Sequence, residues 1–353
     1  MIIKKISLFA ASIISLFIFI FIFLSNSKAE DNNIKYFSND AGILSIMYHR
    51  FNENKYPSTN IKMEIFEEHM KIINNLNYNF MNPKSFIEKF DEPKGKKEIL
   101  VTIDDGFKSF YTEAWPYLKK NQIPFILFVS TQPVGKRGYM TWDEIKEIEK
   151  SDIGMIGHHS HTHEYLIDMS NSEFINDIEI SSQIFKKELG YVPEIFSYPF
   201  GEYSQNMKNY ISKNFKIAFG QHSGVIDLNK DKYELPRFPI NEKYGDLKRF
   251  KSLINYNPLE YKSLKPEEKK IDNTNNPPRL IIEFFDEQKN INNINCYSND
   301  GGNWKKSNLK FNQQTLIINF EKKFIPRRGR INCSLNDNGK WRWFGTQFTV
   351  QKN

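Results

Sequence analysis

Four of the chain's seven histidines fall within six residues, in the stretch IGHHSHTHEYL at 156–166. Imidazole and carboxylate are ligands that zinc and similar divalent ions take, and a hydrolytic site uses three of them, leaving one position for water. His159 and His163 stand four apart, a spacing that converges on one ion from a helix or a tight loop. The third ligand must come from elsewhere, and VTIDDGF at 101–107 offers it. Asp104 and Asp105 follow an apolar run, and Gly106 permits the sharp turn that brings adjacent carboxylates into one pocket. Two such charges resist ionising together unless a cation is present. A metal held by one carboxylate leaves the other as a base. Each tract alone also fits a solvent-facing loop.

Six short apolar runs, at 43–48, 98–103, 124–130, 153–157, 194–199 and 216–220, alternate with helix-like stretches at 66–76, 109–120, 142–150, 172–189 and 204–214. This alternation predicts an α/β fold with a parallel sheet, open or closed as a barrel. The aspartates then lie at the carboxyl end of a strand, where such folds place their active sites. From 259 to 278 the chain turns polar, charged and rich in Pro and Asn, which reads as a linker. Beyond it, β-branched runs between Gly, Asn and Asp turns predict a small all-β, sandwich-like domain over 279–353.

Taken together, TIDDG at 102–106, HSHTH at 159–163 and SYPFG at 197–201 resemble, in order, the motifs TFDDG, H-[ST]-x-x-H and R-x-P-Y-G of the NodB-homology polysaccharide deacetylases, carbohydrate esterase family 4. Further likeness at MYHRF (47–51), TWDEI (141–145) and LPRFPI (235–240) extends the resemblance over about residues 43–255 and points to the poly-N-acetylglucosamine deacetylase-like subgroup. The resemblance implies a distorted (β/α) barrel that removes N-acetyl groups from an N-acetylhexosamine polymer and releases acetate. It implies Asp105, His159 and His163 as ligands of a divalent ion, zinc first, with Ni2+, Co2+ or Fe2+ as alternatives, and Asp104 as general base. It also implies the backbone N–H of Phe200, after Pro199, as an oxyanion donor. His158 and His161 fall outside the matching positions and read as pocket-wall residues.

Two departures from the family pattern matter. Ser197 stands where the third motif carries an arginine that orients the catalytic aspartate, and Arg237, set in an apolar stretch, is the candidate to replace it. The late Leu-x-His motif that supplies the general acid is missing; in the subgroup the histidine of an early MYH segment takes that role, so His49 inherits it, with His222 as rival. His69 reads as a helix-surface residue. Tyr198, Pro199, Phe200 and Trp142 are candidate substrate contacts, as aromatic rings near the motifs can stack on sugars. Another acylated substrate, or a glycan-binding protein with weakened catalysis, are the alternative readings.

The remaining sequence bounds the setting. Net charge is +7, with 49 basic residues scattered among 42 acidic ones; without a clustered basic face no nucleic-acid partner is expected. Lys4 and Lys5 precede an apolar run at 6–24 and then SNSKAE, so residues 1–29 read as a signal peptide or an N-terminal membrane anchor. Both place the rest in the periplasm or cell envelope. Cys296 and Cys333, the two cysteines, are then expected to pair. The expected organisation is a deacetylase domain over 30–258, a linker over 259–278 and the β-rich domain over 279–353.

Overall fold

The computed structural model describes residues 41–92, 95–286, 288, 290–325 and 327–350. The expected signal or anchor at 1–29 lies outside the described residues. Among those described, no helix is long and apolar enough to cross a membrane.

The first half is built on a parallel sheet in the order Phe238–Pro239, Gly42–Tyr48, Lys97–Ile103, Phe125–Val129, Gly154–His158, Ile195–Ser197 and Ile217–Phe219, with Asn79–Phe80 also pairing to Lys97–Ile103. It forms a partial barrel of parallel strands, as the alternating pattern predicts. Leu235 bridges to Phe219 across the remaining gap. Strands such as Phe125–Val129 are buried along their whole length, because helices cover one face while the other lines the interior. The period of two sorts their residues. Val101 and Ile103 pack in the cluster under the helices, whereas Leu100, Ile126, Phe128 and Phe219 fill the interior. Thr102 and Asp104 continue the alternation begun by Leu100, so the first aspartate of the motif is aimed inward by register alone.

The covering helices begin where side-chain caps satisfy their first N–H groups. Thr141 with Glu144, and Ser170 with Glu173, form capping boxes on Trp142–Glu149 and Asn171–Leu189. His69, expected on a helix surface, is instead wholly buried in Met63–Asn75. Its Nε2 donates to the Gly245 carbonyl at 2.8 Å, so its Nδ1 is the acceptor for the Tyr48 hydroxyl at 3.0 Å. The ring stacks on Phe250 at 3.8 Å. Burial pushes its pKa down to about 4, which makes it a neutral core residue behind the strand that ends just before His49.

The second half consists of two sheets. One runs Asn257–Pro258, Lys340–Val350, Arg328–Asp337, Asn295–Ser298 and Lys305–Lys306, with Lys270–Ile271 also pairing to Lys340–Val350; the other runs Ser263–Lys265, Arg279–Glu283, Thr315–Asn319 and Asn308–Asn312. Leu280, Ile282, Leu316 and Ile318 from one sheet and Ile331, Leu335, Phe344 and Phe348 from the other share a single apolar core. Cys296 and Cys333 are directly opposite on neighbouring strands and form a disulfide. The segment 259–278, expected as a linker, supplies strands to both sheets. The reason is that Leu259, Tyr261 and Ile271 are spaced among its charges and bury in the sandwich core.

Candidate active site

Both aspartates sit just past the strand Lys97–Ile103, but one glycine does not make the turn alone. Asp105 itself adopts φ +76°, followed by Gly106 at φ +71°. Two successive left-handed residues swing the second carboxylate round beside the first, and Asp tolerates this conformation better than most side chains. The Gly106 carbonyl accepts from Met140 N–H at 3.0 Å, and Phe107 pairs with Tyr139, so the 131–140 loop braces the turn.

The histidine tract is a tight loop after Gly154–His158, with Ser160 at φ +67° and His163 at φ +57°. Asp177 holds it: one oxygen accepts from His161 N–H at 2.7 Å, the other from Thr162 N–H at 3.0 Å and the Thr162 hydroxyl at 2.7 Å. Ser181 adds a bond to the Ser160 carbonyl at 3.0 Å, and Ser160 Oγ accepts from His163 N–H at 3.1 Å. Sequence reasoning missed Asp177. Its signal was a carboxylate on the buried face of an amphipathic helix, where an acid needs a partner.

This loop brings the expected ligands together. Ligand atoms of Asp105, His159 and His163 all lie within 4.8 Å of one another. Asp105 Oδ1 is 3.3 Å from His159 Nε2 and 3.0 Å from His163 Nε2. His159 Nδ1 donates to the Ser197 carbonyl at 2.7 Å, which leaves Nε2 with a lone pair in neutral imidazole. That lone pair faces a carboxylate oxygen, and both atoms are buried without a hydrogen-bond partner. Two buried acceptors left facing each other are costly, and a cation between them removes the cost, so this donor set fits a divalent ion. Burial pushes the Asp105 carboxyl up, but the two imidazoles beside it, His163 first, outweigh this and hold the group well below the usual range.

Asp104 is separate from that set, its nearest oxygen 3.9 Å from His159 Nε2. Its partner is Arg237, and both are fully buried. Arg237 Nη1 donates to Asp104 Oδ1 at 2.6 Å and to Thr102 Oγ1 at 3.3 Å; Nη2 donates to Asp104 Oδ2 at 2.9 Å and to Ser197 Oγ at 2.7 Å; Nε donates to the Gly220 carbonyl at 3.0 Å. All five guanidinium N–H groups are thus used. Ser197, where the family motif has its arginine, is an acceptor for the replacement. Burial would raise the Asp104 carboxyl; Arg237 first, then His159 and His49, overcome this and hold it below its ordinary value.

Of the two candidate acids, His49 is the one on which the charges of both aspartates act. Burial lowers its pKa, while the charges of Asp105 and Asp104 pull it back up. His222 lies at the seam with the second domain, beside Gly224, Lys230 and Phe344. Burial holds it down at about 4, and its principal carboxylate neighbour is Glu234. His158, read as pocket wall, points the other way from His159 along the strand. Its ring lies among Phe185, Phe196 and Phe215, and burial holds its pKa down at about 3. His161 is bonded to Thr131 at 2.8 Å.

The third motif curls at Pro199–Gly201 with Phe200 at φ +59° and Gly201 at φ +68°. A Cβ at Gly201 would meet the Gln221 backbone at 2.4 Å, so only glycine fits. The Phe200 ring lies 4.8 Å from His163 and stacks on Tyr165 at 4.2 Å, which sets it on the rim of the triad. The second domain grips this turn: Gln347 Nε2 donates to the Phe200 and Gly201 carbonyls at 3.4 and 3.2 Å, and buried Glu202 accepts from Arg327 and Arg328 at 3.1 and 2.7 Å. Two of the expected substrate contacts stand in packing positions. Tyr198 is fully buried against Phe196 and Tyr203, since with Phe196 it continues the helix-facing side of its strand. Trp142 packs edge-on against Phe185 in the first turn of its helix and belongs to the helix-side core.

Comparison with known proteins agrees with this geometry. The sequence profile of the polysaccharide deacetylase family matches residues 91–216, which includes both aspartates, His159, His163 and the third motif. A Bacillus subtilis protein described as a polysaccharide deacetylase, YxkH, is 25% identical over 199 residues, 56% of this chain and 70% of that one. The poly-β-1,6-N-acetyl-D-glucosamine N-deacetylase of Staphylococcus aureus is 24% identical over 252 residues, 61% of this chain and 85% of that one. Among solved structures, the Streptococcus pyogenes deacetylase PplD superposes with a TM-score of 0.55 at 20% identity, covering 60% of this chain and 98% of that one. IcaB from Ammonifex degensii gives 0.54 at 22%, covering 60% and 97%. The structural likeness is one of fold, a NodB-type barrel, and the profile match over residues 91–216 identifies a polysaccharide deacetylase domain of the NodB type in this chain.

Proposed function

We propose that the protein is a metal-dependent N-deacetylase of an N-acetylhexosamine polymer, acting outside the cytoplasm. The observation that carries this reading is the separation of roles: Asp105, His159 and His163 converge, with the ligand atoms of Asp105 and His159 buried and unpartnered, while Asp104 is held apart by a bidentate arginine. The intradomain disulfide fits an oxidising compartment.

Asp105, His159 and His163 would hold the ion, zinc in the first place. Such an ion supplies Lewis acidity toward the acetyl carbonyl and lowers the pKa of water toward about 7. Asp104, kept ionised by Arg237, accepts the proton of the attacking water, and its Oδ2 is the oxygen nearer the ligand set. The Phe200 N–H stabilises the oxyanion, its direction fixed by Pro199 and by the Gln347 grip on the neighbouring carbonyls. His49, in protonated form, donates to the departing nitrogen. Phe200 and Tyr165, stacked beside His163, offer an apolar face for the sugar ring. The reading of a glycan-binding protein without catalysis drew on the missing arginine at position 197, and the Arg237 geometry weighs against it.

The test is acetate release from β-1,6-linked N-acetylglucosamine oligomers and from chitooligosaccharides, with and without chelator. Chelator-sensitive release is expected; release that chelator leaves unchanged, or none from any N-acetylated glycan, rejects the proposal. His49→Ala is expected to lower kcat roughly 10²-fold or more, with His222→Ala close to wild type, and the opposite pattern moves the acid to His222. Gln347→Ala tests the grip from the second domain. It should lower kcat by roughly 10-fold with little change in KM, since small misplacements of a catalytic donor are costly.

A further inference from the structure

A cleft of about 1030 Å³ lies at the opposite end of the barrel from the aspartates and is shared by both halves of the chain. Lys97 on its wall begins the seven-residue strand that ends at Ile103, so at about 3.3 Å per residue the cleft is roughly 20 Å from Asp104. Tyr78, Tyr256, Trp341 and Trp343 are its aromatic lining residues. Tyr256 from the barrel half and Trp343 from the sandwich stack face to face at 4.9 Å and 5°, and Trp341, at the mouth, is 48% exposed. Lys96, Lys251 and Lys340 also line it, from three separate chain segments, with no carboxylate among the lining residues. Lys97 is tied in place by a 2.7 Å bond to the Tyr256 carbonyl.

From this juxtaposition we infer that the cleft is a second, non-catalytic glycan site for a chain of anion-bearing pyranose units. The exposed Trp341 offers a flat aromatic face to the apolar face of a pyranose ring, with the stacked pair behind it as a rigid wall, and lysines from three segments, with no carboxylate among the lining residues, concentrate negative charge. The same lysines repel the amine-bearing product of deacetylation, so the cleft selects against the polymer the active site leaves behind. Its ligand is an acidic glycan, carrying carboxylate or phosphate groups, to which the enzyme is tethered while it works. A membrane surface fits less well, because the stacked pair forms the wall of a concavity and does not protrude. The discrimination against product and the tethering rest on the deacetylase reading, whereas binding of the acidic glycan does not, since no catalytic residue takes part.

The experiment titrates the full-length protein with hexagalacturonate, which has no acetamide to engage the active site, following tryptophan fluorescence. Maltohexaose and the glucosamine hexamer are the neutral and cationic comparisons. The expected result is binding of the acidic hexamer at least 10-fold tighter than either, weakened at least 10-fold by Trp341→Ala and by Lys96→Gln/Lys251→Gln, and reduced by salt. The melting temperature of Trp341→Ala should stay at the wild-type value, because that side chain is half in solvent. Equal affinity for the neutral hexamer overturns the inference, as does binding that both variants leave unchanged. Cleft-dependent binding of oligothymidylate or of phosphatidylglycerol vesicles in place of the glycan also overturns it. The vesicle arm is read as the difference between wild type and variant, which share residues 6–24.

Discussion

Asp104→Asn should lower kcat for acetate release by roughly 10²–10⁴, the range of a general base, while metal content stays that of the wild type. The reason is geometric. Asp104 is 3.9 Å from the nearest ligand nitrogen and both its oxygens are spent on Arg237, so it contributes charge and basicity and no coordination. An amide in its place cannot accept the water's proton. It also turns an N–H pair toward a guanidinium that loses its charged partner and keeps only neutral acceptors at Thr102, Ser197 and Gly220, so the variant should melt earlier as well, and turnover has to be read below its melting point. KM should change much less than kcat. Activity within tenfold of wild type, in folded protein with full metal, contradicts the assignment.

Arg237→Gln should be as damaging to activity and more damaging to stability. Removing one member of a buried ion pair leaves the other uncompensated, at a cost of about 3–5 kcal/mol, and here three further acceptors, Thr102, Ser197 and Gly220, lose their donor. The effect has a pH signature. In the wild type the Asp104 carboxyl is held below its ordinary value, so its contribution to stability is present above the unfolded pKa and is lost as pH falls through the lower folded one. Without Arg237, burial loses its largest opponent and the folded pKa rises. The acid limb of kcat/KM should therefore move to higher pH, and the stability contribution of this group should shrink or change sign. Arg237→Lys should restore charge but not the two-pronged geometry, giving partial recovery at best. An acid limb that stays in place in Arg237→Gln contradicts the pairing as the source of Asp104's low pKa.

The parts of the site written in local sequence were readable from it. An apolar strand followed by Asp-Asp-Gly gives the direction and end of the strand, and a four-residue histidine spacing gives convergence. Arg237 stood out because a lone arginine among Leu, Pro, Phe and Ile needs a buried acceptor. The conformation of the loop was less readable. Left-handed backbone at Asp105, Ser160 and His163 is imposed by tertiary bonds such as those from Asp177 and Ser181, and propensity does not announce it. Gln347 and Glu202 were invisible for a related reason: their roles arise from contacts between halves of the chain about 125 or more residues apart. Tyr198 and Trp142 show the opposite error. Aromatic residues beside a motif are more often its supporting core than its substrate contacts, and burial decides between the two. His69 and the segment 259–278 were misjudged because a few apolar or tertiary anchors outweigh polar surroundings once the partner surface exists.

Calorimetric titration of metal-stripped protein with Zn2+ tests the site most directly. One ion should bind per chain, Asp104→Asn should keep it, and His159→Ala and His163→Ala should each lose it. If the stripped protein takes up no ion, or if both histidine variants bind it as the wild type does, then Asp105, His159 and His163 are not the centre described.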